Sequence, residues 1–178
     1  MSVRDIRMRA DYEKVRQLSS RTNDKIVLEK TRGNPPYRYE IDFKIRSIVG
    51  LSFGRPKWGV HHRAEIMLSS SYPLTEPAAN MLTPVFHPHV FPSLKICMGR
   101  KWVPTEYLDD FVLRIGNILC FSPEYIDPAS PANRDALSWV RKNIHLIPTD
   151  TLEISERAGP SITWKEKSPK VVDWKEQA

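Results

Sequence analysis

Tyr72-Pro73-Leu74-Thr75-Glu76-Pro77, then Met81-Leu82-Thr83-Pro84-Val85-Phe86, then His87-Pro88-His89 and, eight residues beyond His89, Cys97: in this stretch the chain's architecture and chemistry meet. Prolines 73, 77, 84 and 88 break it into turns around one extended run, because proline fixes φ and cannot feed a central ladder. A thiol just after a proline-stiffened turn, flanked by a polar imidazole, suits a nucleophile that carries an acyl group.

Upstream, apolar positions Met8, Tyr12, Val15 and Leu18 recur at helical spacing, and predict a helix over residues 4–19 whose arginines and lysine lie mostly on other faces. Lys25–Lys30 reads as a short strand, ended by Gly33-Asn34-Pro35-Pro36. Tyr37, Tyr39, Ile41, Phe43 and Ile45 then alternate with Arg38, Glu40, Asp42, Lys44 and Arg46, the period of a strand with one buried face. A connection rich in glycine (Gly50, Gly54, Pro56, Gly59) leads to a third strand with Val60, His62, Ala64, Ile66 and Leu68 on one face. Met81–Phe86 is the expected fourth strand.

Downstream the period changes. Leu108, Phe111, Val112, Ile115, Ile118 and Leu119 form an apolar helix, with Asp109 and Asp110 in its first turn, where the dipole favours them. After a proline-rich loop over 122–131, Ser130 reads as an N-cap, with Pro131 at the first position of a last helix and Ala136, Leu137, Val140 and Ile144 as its buried stripe. Helix, four-stranded antiparallel meander, then helices on one face of the sheet: the fold class is α+β. One domain over 1–147 is followed by a tail over 148–178, in which Trp164, Val171, Val172 and Trp174 hint at docking.

The 178 residues suit one domain with its own core, and 40% hydrophobic with 27% charged residues is a globular balance. No apolar run reaches a membrane span and the N-terminus lacks a signal peptide's apolar region, so a cytoplasmic protein without a membrane partner is expected. The net charge of +6 favours acidic partners, but no zinc-finger spacing and no arginine/lysine block interleaved with aromatics points to nucleic acid. Cys97 and Cys120 make no disulfide framework. Cys120, between Leu119 and Phe121 on an apolar helix face, reads as a small packing residue.

These residues in this order resemble the ubiquitin-conjugating enzyme family. Its pattern is Tyr-Pro-hydrophobic-x-x-Pro, a strand, His-Pro-Asn, and the active-site cysteine eight residues later. Tyr72–Pro77 matches the first part, and His87-Pro88-His89 matches the second with histidine in place of asparagine. Trp102-Val103-Pro104 stands for the family's Trp-Ser-Pro, three residues closer to the cysteine than usual, and Asp127-Pro128 for its later Asp-Pro. The architecture agrees over about residues 4–144, and the residue-level match runs from Tyr72 to Asp127.

The resemblance implies acyl transfer. Cys97 would take the C-terminal carboxyl of a ubiquitin-like modifier from an activating enzyme and yield it to an amine, usually a lysine of a protein substrate, with no cofactor and no metal. Lys95, Arg100 and Lys101 put positive charge near the thiol, which favours its anion. His89 is implied either to donate to the oxyanion, to act on the thiol's proton, or to brace the turn. Asp127 is implied to orient the incoming amine, or simply to form a turn. Leu74, Pro104 and Thr105 match the surface shown to a ligase where one exists. Arg4 and Arg7 on the basic first helix match the region offered to the activating enzyme. The departures from the eukaryotic pattern point to a bacterial member of a ubiquitin-like conjugation operon. Two rivals stand beside this reading: a non-catalytic module of the same fold that binds the modifier or activating enzyme without a thioester, and a metal site among His61, His62, His87, His89 and Cys97.

Overall fold

The structure, a computed structural model, describes residues 2–148 and 150–155. Helix α1 (Val3–Arg16) opens with Ser2 and Asp5 in a reciprocal capping box, and buries Met8, Asp11 and Val15. A one-turn helix, α2 (Leu18–Arg21), continues it after a break at Gln17. The main sheet has order β1 (Ile26–Gly33), β2 (Pro36–Phe43), β5 (His62–Met67), β6 (Ala78–Met81), antiparallel throughout. Tyr39, Ile41, Phe43 and Ile45 are buried as the alternation predicts, whereas Tyr37 at the strand's start stays exposed.

Three expectations are corrected. The glycine-rich connection is a hairpin, β3 (Ser47–Ser52) with β4 (Arg55–Gly59), which forms a separate two-stranded sheet. Only the first two residues of β3 are buried, so it lacks the in–out alternation by which a strand is recognised. Val60, expected on a buried face, precedes β5 and is exposed. The fourth strand is Ala78–Met81 rather than Met81–Phe86: β6 must pair with Ala64–Met67, and the chain leaves that ladder at Met81. Phe86 N–H instead reaches Ile48 O at 2.8 Å and ties the segment to the hairpin.

Helix α3 (Leu108–Leu119) buries ten of its twelve residues and is the helix around which the main core closes. Gly116 lets it approach β1: a Cβ there would lie 3.2 Å from Ile26 Cδ1 and 3.0 Å from Leu152 Cδ2. Leu152 belongs to the expected tail. Residues 150–155 pack back on the domain, with Ser155 N–H on Arg21 O at 2.8 Å and Lys25 Nζ on Thr151 O at 3.2 Å. Trp164, Val171, Val172 and Trp174 lie outside the described residues.

Helix α4 (Arg134–Lys142) starts later than expected. Its N-cap is Asn133, whose Oδ1 accepts Ala136 N–H at 3.0 Å, not Ser130. The N–H groups of Ala132 and Asn133 are engaged by Pro88 O, and Asn133 is extended at φ −133° and ψ 102°, so the helix begins at Arg134. Val140 forms a second, small core with Ile48 and Phe121, so α4 packs against β3, and its Trp139 reaches the hairpin's turn; Ile144, past the helix end, is exposed rather than buried.

Candidate active site

The His87-Pro88-His89 turn is a hub of backbone bonds. His87 is fully buried; its Nδ1 accepts His89 N–H at 3.0 Å, and its O accepts Val90 N–H at 3.0 Å. Burial holds the His87 imidazole well below its usual pKa, with His89 adding to the effect, so it is a neutral acceptor here. Pro88 O accepts from Ala132 and Asn133 at 2.8 and 3.0 Å, which pins the loop preceding α4 onto the turn.

His89 joins the two halves of the site. Its Nε2 accepts Asp127 N–H at 2.8 Å, which leaves the ring's one hydrogen on Nδ1. That N–H points to Cys97 O at 3.2 Å, and Cys97 N–H returns to His89 O at 2.8 Å. Both ring nitrogens and the main chain are therefore committed to positioning Cys97 and Asp127. In this tautomer His89 has no proton left to give an oxyanion and no lone pair left to take one from the thiol. The bonds His89 makes are those of a brace between the two segments. Gly99 closes over the same ring: it sits at φ +73°, and a Cβ there would meet His89 Cε1 at 3.1 Å, so the chain turns tightly around the imidazole after Cys97.

Cys97 itself is half-buried in an open groove of about 470 Å³. Glu76, Lys95, Arg100, Lys101, Asp127 and Ser130 supply the groove's polar wall. Asp127 lies beside the thiol's groove and also lines a neighbouring groove under α3. Its Oδ1 accepts Ala129 N–H at 2.8 Å, the geometry of an Asx turn, so the turn-forming role is present whatever else the carboxylate does. Sequence reasoning does not reach Glu76 or Ser130 as groove residues. Glu76 sits inside the Tyr-Pro motif with no periodicity to flag it, and Ser130 reads as a cap. Of the three flanking cations, Arg100 is drawn away: its Nη2 lies 2.9 Å from Glu106 Oε1, which also holds buried Arg114.

The five expected partner residues form a separate region. Leu74, Pro104 and Thr105 are exposed, and Trp102 Nε1–H donates to Pro73 O at 2.7 Å, which fastens the Leu74 loop to the loop after the cysteine. Arg4 donates to Ser69 O at 3.0 Å. Arg7 points inward instead: its Nε binds Asp11 at 2.8 Å, its Nη1 binds Pro104 O at 2.8 Å, and its Nη2 reaches Glu106 O. Asp11, fully buried, also accepts from Tyr72 OH and, through Oδ1, from Leu108 N–H at 3.1 Å, so a carboxylate of α1 caps α3. Arg7 thus supports the Pro104 loop from beneath.

The two cysteines differ in a way that alkylation reads directly. Burial pushes the Cys120 thiol up to about 11, so at neutral pH it is protonated as well as inaccessible. In native protein treated with iodoacetamide at roughly pH 8, mass spectrometry should find one carbamidomethyl group, on Cys97; Cys120 should react only on denaturation. Equal labelling of both in the native state would contradict this arrangement. Among the described residues, no three His, Cys, Asp or Glu side chains come together as a metal site.

No family model matches the chain. Curated relatives do. Ubiquitin-conjugating enzyme E2 S of Drosophila melanogaster is 26% identical over 140 residues, covering 72% of this chain and 65% of the relative. The protein of that name from Dictyostelium discoideum is 29% identical over 102 residues, 56% of this chain and 46% of the relative. The chain thus matches less than two thirds of their length. Among solved structures, Saccharomyces cerevisiae Ubc12 superposes with a TM-score of 0.60 at 16% identity, over 82% of this chain and 75% of that one. A Trypanosoma cruzi structure described as a ubiquitin conjugating enzyme gives 0.58 at 20%, over 81% and 92%. The α+β fold is that of these structures, and with the curated relatives it supports the ubiquitin-conjugating family for this chain.

Proposed function

We propose that the chain is a ubiquitin-conjugating-type carrier that accepts a ubiquitin-like modifier as a thioester on Cys97 and passes it to an amine. The observation that carries the reading is the pairing of Cys97 and Asp127 in one open groove, with His89 bonded to the backbone of both. In the charging step the Cys97 thiolate attacks the activating enzyme's thioester carbonyl, and the activating enzyme's thiolate leaves. In discharge the lysine nitrogen attacks the Cys97 thioester, loses a proton, and Cys97 leaves as thiolate. Asp127 would orient the amine. Its charge by itself favours the ammonium form, so its contribution lies in positioning. The exposed Leu74, Pro104 and Thr105 would meet a ligase, with Arg7 beneath them as a support. Arg4 would belong to the face met by the activating enzyme. The reading includes a cytoplasmic setting and a bacterial ubiquitin-like pathway, the latter resting on His89 and the short segment after Cys97.

The test is charging: chain, activating enzyme, modifier and ATP, resolved on a gel with and without reducing thiol. A thiol-sensitive adduct supports the carrier. Its absence, while the activating enzyme itself is charged, favours the non-catalytic binding module. His89→Ala separates bracing from direct chemistry. Because the ring acts by positioning Cys97 and Asp127, charging and discharge should both slow, by roughly ten- to a hundredfold. Single-turnover rates of the two steps check it, and a loss confined to discharge would restore oxyanion donation.

A further inference from the structure

The hairpin β3–β4 carries a pattern that the carrier chemistry leaves unused. From Lys44 to Ala64 the chain contains Lys44, Arg46, Arg55, Lys57 and Arg63 and no aspartate or glutamate, and all five cations are exposed. The Ser52–Arg55 pair closes a two-residue turn, Phe53-Gly54, with both residues at positive φ, 49° and 77°. Asn-Gly is the preferred pair for that turn, and a bulky ring at its first position is uncommon. The Phe53 side chain finds no packing there: it is fully exposed, at 104%. The hairpin that presents it is nevertheless fixed. Trp139 Nε1–H donates to Gly54 O at 2.9 Å, and Arg46 stacks over Trp58 at 4.1 Å.

We propose that this hairpin is a peripheral membrane contact that inserts Phe53 into the headgroup region of an anionic lipid surface. The order of residues along its axis matches the order of layers in such an interface. Phe53 is at the point, the Leu51–Pro56 pair stands behind it, Arg55 and Lys57 flank it, and the Ile48–Trp58 pair lies further back. At the rise of an antiparallel strand, Trp58 is roughly 15 Å behind the tip. With the ring seated roughly 5–10 Å deep, Arg55 and Lys57 lie among lipid phosphates and Trp58 with Arg46 at the outer edge of the headgroups. A single-strand nucleic-acid platform would lay aromatic faces along a groove so that successive bases stack. Here the one unobstructed ring is at the point, and Arg46 lies over Trp58. None of the hairpin residues lines the Cys97 groove, so a surface-bound chain keeps its thiol open. No helix among the described residues is long and apolar enough to cross a membrane. The expectation of no membrane partner rests on the lack of a spanning segment, which a peripheral contact does not need.

Cosedimentation of the full chain with sucrose-loaded vesicles tests the proposal, using phosphatidylcholine alone and with roughly a third phosphatidylglycerol. Binding is expected on the anionic vesicles only, weakening as salt rises. Phe53→Asn should lower the partition coefficient about tenfold or more, and Phe53→Trp should retain it. Asparagine suits this turn, so the variant should melt no lower than the parent and loss of binding would not report misfolding. The proposal is overturned by no binding to anionic vesicles, or by equal binding of Phe53→Asn. Tighter binding to a labelled oligothymidylate that survives Phe53→Asn would also overturn it and assign the basic hairpin to nucleic acid.

Discussion

Cys97→Ala should yield no modifier adduct at all under conditions where the parent chain is fully charged, and Cys97→Ser should trap a slow adduct that resists reducing thiol. Both follow from the bond that would form. Alanine leaves nothing to attack the activating enzyme's thioester. Serine can form an oxyester, but its hydroxyl is a far weaker nucleophile than a thiol. The Cys97 backbone is held by its two bonds to His89 whatever the side chain, so both variants should fold and melt as the parent does. Cys120→Ala should charge normally, since that thiol is buried away from the groove. A Cys97→Ala chain that still forms a thiol-sensitive adduct would move the nucleophile elsewhere and end the assignment.

Asp11→Ala should be the most destabilising single polar substitution, at about 3–5 kcal/mol in denaturant unfolding. One carboxylate serves three donors from three parts of the chain: Arg7 on its own helix, Tyr72 OH, and Leu108 N–H at the start of α3. Burial and the bond to Asp11 hold the Tyr72 phenol above its usual range, so it stays a donor. Removing Asp11 leaves a largely buried guanidinium without its counter-charge and a helix terminus uncapped. Against a domain stability of about 5–15 kcal/mol the loss is large, and at this chain length it corresponds to roughly 10 °C in melting temperature. Asp11→Asn keeps an acceptor for Leu108 and should fall between. A double-mutant cycle with Arg7→Ala should show coupling above about 1 kcal/mol; additive effects, or a loss under about 1 kcal/mol for Asp11→Ala, would refute the network.

Much of this site is legible in the order of residues alone. Cys97 and Asp127 line one groove. The spacing of Cys97 from the His-Pro-His turn is local information, and the turn's prolines restrict where the thiol can go. The role of His89 is not legible in that way, because the tautomer is set by an amide thirty-eight residues away, at Asp127. Arg7 reads as a free surface cation for a similar reason. Its partners beyond Asp11 are the Tyr72 hydroxyl and carbonyls at Pro104 and Glu106, all far downstream. Glu76 carries no signal of its own because carboxylates in loops are ordinary, and only the folded chain shows which of them line the thiol's groove.

The sequence by itself determined the elements whose burial follows a period: β2 from Tyr39 to Phe43, the face of β5 through Ala64 and Ile66, and α3. Period is a property of the backbone's own geometry, so it survives without knowledge of the neighbours. Tertiary structure alone decided the rest. The β3–β4 hairpin stands off the main core and has no alternation to read. The fourth strand is limited to Ala78–Met81 by the ladder it must join. The last helix begins at Arg134 because Asn133, bonded to Pro88 O, is extended and serves as its N-cap. The ladder that β6 joins and the bonds from the loop before the last helix to Pro88 exist only once the chain has folded.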